Sequence, residues 1–127
     1  MRLTQRRVVS SVIGLVVVLV FVAVQYEERT VRRREEEFDR RMEKVHDGMT
    51  EGEVRNAVGV PDQMIDDPRR PETGYRSGSC DSASAIASML YSFDRQSWGV
   101  SAGGSIFVVC LDASRIVIDT HWDFIEY

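Results

Sequence analysis

The sequence predicts an α+β protein in which a transmembrane helix and a charged stalk helix precede a small two-layer domain. In that domain, two helices are expected to pack on a three-stranded antiparallel sheet, in the order ααβββ. Three observations support this: an uncharged apolar run over residues 8–26, a helix N-cap at Thr50, and three C-terminal segments rich in β-branched and aromatic residues. The chain of 127 residues has room for one such domain beside the N-terminal helices.

Residues 8–26 contain no charged side chain and consist mainly of Val, Leu, Ile, Phe and Ala. Nineteen helical residues extend roughly 28 Å, close to the thickness of the hydrocarbon core of a bilayer. The tail before them, residues 1–7, carries three arginines, which also suits a cleavable signal peptide. Because Val22-Ala23-Val24 is a poor cleavage site, we expect an uncleaved single-pass signal anchor, with a cleaved signal peptide as the alternative.

Residues 27–37 are predicted to continue this helix as a charged stalk. Val31, Phe38, Met42 and Val45 recur on one helical stripe, while nearly all neighbouring residues are charged. We expect the last three to pack on the sheet, so that the domain spans residues 38–127. A weak homodimer through a coiled coil on the same stripe is the alternative, which the short, Arg-interrupted heptad pattern disfavours.

A second helix is predicted to begin at Glu51. The Thr50 hydroxyl can accept a hydrogen bond from the backbone N–H of Glu53, whose side chain can reach back to the capping residue. Gly59 suits the left-handed position after a helix, and Pro61 prevents continuation. The helix is therefore expected to have about two turns.

The run around this helix resembles the signature of the SmpA/OmlA (BamE-like) domain family. In that family a Gly-Met-Thr turn, a helix with Glu and Val, and a Gly-x-Pro exit precede a three-stranded sheet. The resemblance covers residues 38–122 and is looser downstream of the helix. The matching signature residues are Gly48, Met49, Thr50, Glu53, Val54, Gly59, Pro61 and Asp62.

The resemblance implies an envelope protein whose partner belongs to envelope or outer-membrane protein assembly. No cysteine directly follows the apolar run, so the transmembrane anchor replaces the lipid of the family's lipoproteins and indicates the inner (cytoplasmic) membrane. Residues 27–45 carry seven Lys and Arg against three in the tail, a count that favours a cytoplasmic domain. Seven acids are interleaved with those cations, and the resemblance leads us to expect an extracytoplasmic C-terminal domain instead.

The C-terminal third is predicted to form the sheet. The expected strands are Met89–Phe93, Ser105–Leu111 and Arg115–His121. Alternation places Ile116 and Ile118 on the helix-facing side of the last strand and leaves an apolar back face. This face is a candidate partner surface, with a dimer face or a surface covered by the long loop as alternatives. Its apolar members are Leu90, Ile106, Val108 and Val117.

Residues 63–87 are rich in Asp, Pro, Arg, Gly and Ser and are predicted to form a long flexible loop. The loop contains Cys80, and the second cysteine, Cys110, falls in a strand. In an oxidising compartment the pair can form a disulfide that pins the loop across the back face and stabilises the fold by roughly 3 to 4 kcal/mol. The alternative is one free loop thiol and one buried strand thiol.

Composition argues against several function classes. Residues 46–127 hold six basic and thirteen acidic residues, so the domain is acidic and we expect no nucleic-acid binding. We find no phosphate-binding loop, nucleophile motif or paired metal ligands in the sequence, and therefore expect no enzyme activity, cofactor or metal. His46 and His121 are interpreted as surface or interfacial residues.

These observations predict a noncatalytic, membrane-anchored protein-binding or scaffolding module of the bacterial cell envelope. Two alternatives stay open. The first is a small-ligand-binding or enzyme-accessory domain that uses the long loop and the Gly-rich stretch Trp98–Gly104 as a pocket rim. The second is a structural stalk protein that dimerises.

Overall fold

The computed structural model describes residues 2–67 and 79–125. The four strands of the described residues form one antiparallel sheet in which each strand pairs with the next along the chain. The α+β class is therefore confirmed, whereas the prediction of three strands is wrong. The elements are α1 (Arg2–Met42), α2 (Glu51–Val58), β1 (Gln63–Asp66), β2 (Ala87–Ser97), β3 (Val100–Leu111) and β4 (Val117–Ile125).

The additional strand, β1, lies in the segment that was predicted to be a flexible loop. Its four residues pair with the start of β2, with Gln63 opposite Leu90 and Asp66 opposite Ala87. Four residues are too few to show a clear alternation of polar and apolar side chains. The strand also gains its hydrogen bonds only from a segment distant in the sequence, so its own residues give little signal. Residues 68–78 of the predicted loop lie outside the described residues.

Helix α1 is one continuous helix of 41 residues that includes most of the predicted tail, the apolar run and the stalk. By length and composition it can cross a membrane, and its most apolar stretch is not buried against the rest of the protein. At the other end of the helix, Phe38 and Met42 are buried in the core, as is Val45 just beyond it. The predicted docking of these three residues on the sheet is confirmed.

Aromatic rings join the end of α1 to the sheet. The centroid of the Phe38 ring lies 5.6 Å from that of Phe93 on β2 and 5.9 Å from that of Trp122 on β4. Trp122 in turn packs against Phe107 of β3, with their centroids 4.8 Å apart. Such aromatic pairs add stability beyond the apolar area that they bury. Phe38 is thus held between the two rings that flank it.

The signature residues around α2 have structural roles. The Thr50 hydroxyl accepts a hydrogen bond from the N–H of Glu53 at 3.2 Å, which confirms the predicted N-cap. The N–H of Gly48 donates to the carbonyl of Val117 at 2.8 Å, and this turn thereby adds to the edge of β4. Past the helix, an Asp62 carboxylate oxygen accepts hydrogen bonds from the backbone and hydroxyl of Ser92. The signature therefore fastens the segment before α2 to β4 and the segment after it to β2.

Strands β2 and β3 form a hairpin that is longer than the sequence indicated. Its turn consists of Trp98 and Gly99, which both have positive φ, at 56° and 74°. Positive φ at both central residues is the geometry whose twist suits a two-residue hairpin. Most of the Gly-rich stretch predicted to link two strands therefore belongs to β3. At Gly104 the hairpin strands approach so closely that an added Cβ would lie 2.4 Å from the carbonyl oxygen of Phe93.

Two face assignments on the last strand were wrong. A register shift opposite Cys110 and Leu111 adds a residue to β4, so that its alternation reverses there. Val117 consequently packs in the helix-side core, and Ile118 packs with the cluster on the back of the sheet. A bulge of this kind leaves no mark in the pattern of residue types.

The apolar part of the back face is buried. Cys80 and Cys110 form a disulfide with their Cα atoms 6.1 Å apart, which fastens the segment after residue 78 to β3. Cys80 and Ala85 from that segment pack in a second cluster with the three back-face residues of the candidate partner surface, Leu90, Ile106 and Val108. These three side chains are at most 7% exposed. Together with Val117 on the opposite face, they do not form the exposed surface that the sequence suggested.

We predict that Gly104→Ala destabilises the domain by about 1–3 kcal/mol, because the new methyl group meets a backbone oxygen that cannot move without opening the hairpin. Thermal unfolding of the full chain in detergent, followed by near-ultraviolet circular dichroism, measures this. Gly52→Ala is the matched control. Its Cβ would have only Thr50 Oγ1 nearby, at 3.9 Å, so the substitution should stabilise α2 by about 0.5–1 kcal/mol. Equal effects of the two variants would contradict the close approach.

We predict that replacing both cysteines, Cys80→Ala with Cys110→Ala, lowers the free energy of unfolding by about 3–4 kcal/mol. The bond closes a loop with a sequence separation of 30, and its loss frees the unfolded chain. Denaturant titration with and without reductant measures the effect. Reductant should weaken the wild type and leave the double variant unchanged.

Candidate functional site

The candidate site is a groove of about 300 Å³ between the end of α1 and the strands β3 and β4. We call it the acidic groove. Its helical wall consists of Glu35 and Asp39 of α1 and of Glu43, the residue just past its end, whose N–H still donates to the Asp39 carbonyl at 3.0 Å. The four-residue spacing puts the three carboxylates on one face. Its sheet wall consists of Ser105, Trp122 and Phe124.

The aromatic wall offers contact area for a partner. Trp122 is only partly buried in the core and so presents part of its indole to the groove. Phe124 is 64% exposed, which is unusual for a phenylalanine on a sheet. Within the described residues β4 is the last strand of the sheet, with β3 as its one neighbouring strand. Beyond Val117, where the Gly48 turn pairs with it, the edge of β4 has no neighbouring strand among the described residues, and such an edge beside aromatic side chains suits the addition of an extended peptide.

The electrostatics of the groove favour a cation. Burial raises the pKa of Asp39, and repulsion from Glu35 and Glu43 raises it further, while Arg95 acts in the opposite direction. Glu35 accepts a hydrogen bond from Nε of Arg95 at 3.1 Å, so one carboxylate of the three is partly neutralised from the hairpin. A guanidinium or ammonium group entering the groove would relieve the remaining repulsion and could lie over an aromatic ring.

The other flank of α1 has the opposite charge. A second groove, of about 590 Å³, is lined by four cations together with Glu37, Phe38 and Phe93. These cations are Arg34, Arg40, Arg41 and Lys44. The guanidinium carbon of Arg41 lies 5.9 Å from the centre of the Phe38 ring. The helix thus separates an acidic groove from a basic one, which would orient a charged partner.

Residues on the back of β4 form a row around His121. Its Nδ1 atom lies 3.8 Å from an Asp119 oxygen and its Nε2 atom 3.8 Å from an Asp123 oxygen. Side-chain atoms of Cys110, Asp119 and His121 lie within 4.8 Å of one another, a spacing that could hold a metal ion. The Cys110 sulfur is bonded to Cys80 and is therefore not available as a thiolate ligand.

The acidic groove was not predicted from the sequence. The acids of residues 27–45 were considered only as charges interleaved with Lys and Arg, although the four-residue spacing of Glu35, Asp39 and Glu43 already placed them on one helical face. The last strand was also predicted to end at His121, before Phe124, which completes the aromatic wall. The Trp98–Gly104 stretch, proposed as a pocket rim, is the hairpin turn and the beginning of β3.

No protein-family model, curated protein or solved structure is significantly similar to this chain. The resemblance to the SmpA/OmlA family therefore remains a prediction from the residues between Gly48 and Asp62.

We predict that Asp39→Asn raises the melting temperature at neutral pH. Because the pKa of Asp39 is raised by folding, ionisation of this group opposes the folded state above that pKa. The advantage of the variant should shrink as the pH falls and disappear below the ordinary pKa of 3.8, where the wild-type carboxyl is protonated in both states. Asp81→Asn, at an exposed position beside the disulfide, is the control. An advantage of Asp39→Asn that does not change with pH would contradict the electrostatic origin.

Proposed function

We propose that this protein is a noncatalytic, single-pass protein-binding module of the bacterial cell envelope. It is anchored in the inner membrane, holds its C-terminal domain outside the cytoplasm, and receives a basic segment of a protein partner in the acidic groove. The partner belongs to envelope or outer-membrane protein assembly, as the signature around α2 implies. The observation that carries the proposal is the continuity of α1, which is apolar and exposed at one end and part of the domain core at the other.

The disulfide supports an extracytoplasmic location. Disulfides persist in oxidising compartments and are rare in the cytoplasm, where thiols are kept reduced. The Cys80–Cys110 bond fastens the cover of the second hydrophobic cluster, so the fold described above depends on oxidation. The disulfide outweighs the count of juxtamembrane arginines, because those arginines are interleaved with acids that can pair with them along the helix.

Protein binding is supported by the composition of the acidic groove. It combines three carboxylates with two aromatic side chains and an adjacent strand edge. Carboxylates of this kind steer and orient a cationic partner, while aromatic side chains supply most of the contact energy in many interfaces. A partner segment with Arg or Lys beside apolar residues fits both walls.

The location is tested by labelling introduced cysteines in intact cells with a maleimide that does not cross membranes. Ser114→Cys lies in the exposed turn between β3 and β4, and Thr4→Cys lies at the exposed start of α1. We expect labelling of Ser114→Cys in intact cells and labelling of Thr4→Cys only after lysis. The reverse result would place the domain in the cytoplasm and overturn the proposed function.

Binding is tested by placing a photocrosslinking phenylalanine analogue at Phe124, with the exposed Ala113 as the control position. We expect a discrete protein adduct from position 124 in cells and none from position 113. Asp39→Asn combined with Glu43→Gln should reduce that adduct at least about tenfold, since each lost charge contact at an interface can be worth more than 1 kcal/mol. An adduct that survives this neutralisation would argue against a basic partner segment.

A further inference from the structure

The β2–β3 hairpin runs back along α1 toward the apolar run. Phe93 packs on Phe38, Arg95 forms an ion pair with Glu35, and the N–H of Trp98 lies 3.5 Å from a carboxylate oxygen of Glu27. As the strand advances, its contacts move toward the N-terminus of the helix. The turn of the hairpin therefore lies beside Glu27, the residue that directly follows the apolar run.

The end of the hairpin is uncharged and apolar at its tip. Residues 96–104 contain no Asp, Glu, Lys or Arg, although 28% of the chain is charged. At the tip, Trp98 is 64% and Val100 is 67% exposed. Tyr26, the last residue of the apolar run, is 71% exposed on the neighbouring helix. Large apolar side chains from two elements are thus presented to solvent at the same level of the molecule.

Trp98 is one of the two residues that form the turn of the hairpin. A positive φ is uncommon for a bulky residue and costs free energy, and here Trp98 adopts a φ of 56°. The two strands that enter and leave the turn pair with each other, with Ser97 opposite Val100 and Gln96 opposite Ser101. Trp98 therefore lies in the two-residue turn at the end of a paired hairpin.

We propose that the hairpin tip, residues 97–100, is a second membrane contact that inserts Trp98 and Val100 into the interface between lipid headgroups and acyl chains. The inference rests on the proposed membrane anchor. Trp and Tyr concentrate at this depth because their rings are apolar and their N–H or O–H groups still reach water. An uncharged tip enters without the cost of removing an ion from water.

Neighbouring arginines fit the same location. Arg29, Arg32 and Arg33 follow the apolar run on α1 and are exposed. At the level of the headgroups these cations lie where lipid phosphates are found. Their position just beyond Tyr26 agrees with a bilayer surface that passes through the hairpin tip.

The contact would fix the height of the domain. The helix rises about 1.5 Å per residue. The three carboxylates of the acidic groove, those of Glu35, Asp39 and Glu43, would therefore lie roughly 12 to 24 Å beyond Glu27 along the helix axis. Two attachment points, a helix and a hairpin, also restrict tilting of the domain more than a helix alone. The acidic groove would accordingly be presented to partners that approach along the membrane surface.

The test uses the full chain reconstituted in phosphatidylcholine vesicles with or without bromine on the acyl chains, which quenches nearby tryptophans. Trp122→Phe leaves Trp98 as the sole tryptophan, and Trp98→Phe leaves Trp122. We expect at least about twofold quenching and a blue shift for Trp98, and much weaker quenching for Trp122, which packs beside Phe38. Wild type compared with Trp98→Phe gives the same answer if Trp122→Phe does not fold.

Flotation with the vesicles and resistance to alkaline carbonate are measured on the same samples. If the protein floats and Trp98 is quenched no more than Trp122, the hairpin contact is overturned while the anchor stands. If wild type and Trp98→Phe both fail to float, the anchor itself is overturned, and the proposed function with it. Strong Trp98 quenching in floated protein supports both.

Discussion

The burial of Phe38 and Met42 in the domain core is the constraint on which the rest of the structure depends. These side chains belong to the same helix as the apolar run, so no linker separates the segment suited to a membrane from the folded domain. The rings of Phe93 and Trp122 hold Phe38 from two strands. Both grooves and the alignment of the hairpin along α1 follow from this docking.

Local features of the fold could be predicted from sequence because their signals are local. The uncharged run, the stripe through Phe38 and Met42, and the cap at Thr50 each depend on residues within a few turns of one another. Strand β1 could not be predicted, since four residues gain hydrogen bonds only when β2 is in place. The bulge in β4 is equally invisible and reversed the faces of Val117 and Ile118.

The candidate site could be predicted only in part from the sequence. The spacing of Glu35, Asp39 and Glu43 was visible, but their pairing with Trp122 and Phe124 depends on a contact between segments some eighty residues apart. The apolar back face was recognised as unusual, and coverage by the loop was one of the interpretations left open. The disulfide shows what covers it, since Cys80 brings the segment with Ala85 onto that face.

Oxidation also has a consequence for the nascent chain. Until the two sulfurs join, no covalent bond holds the covering segment over Leu90, Ile106 and Val108, which lie on adjacent strands. Exposed, neighbouring apolar strands promote self-association between chains. A chain in which the cysteines are still reduced is therefore more prone to self-association than the oxidised protein.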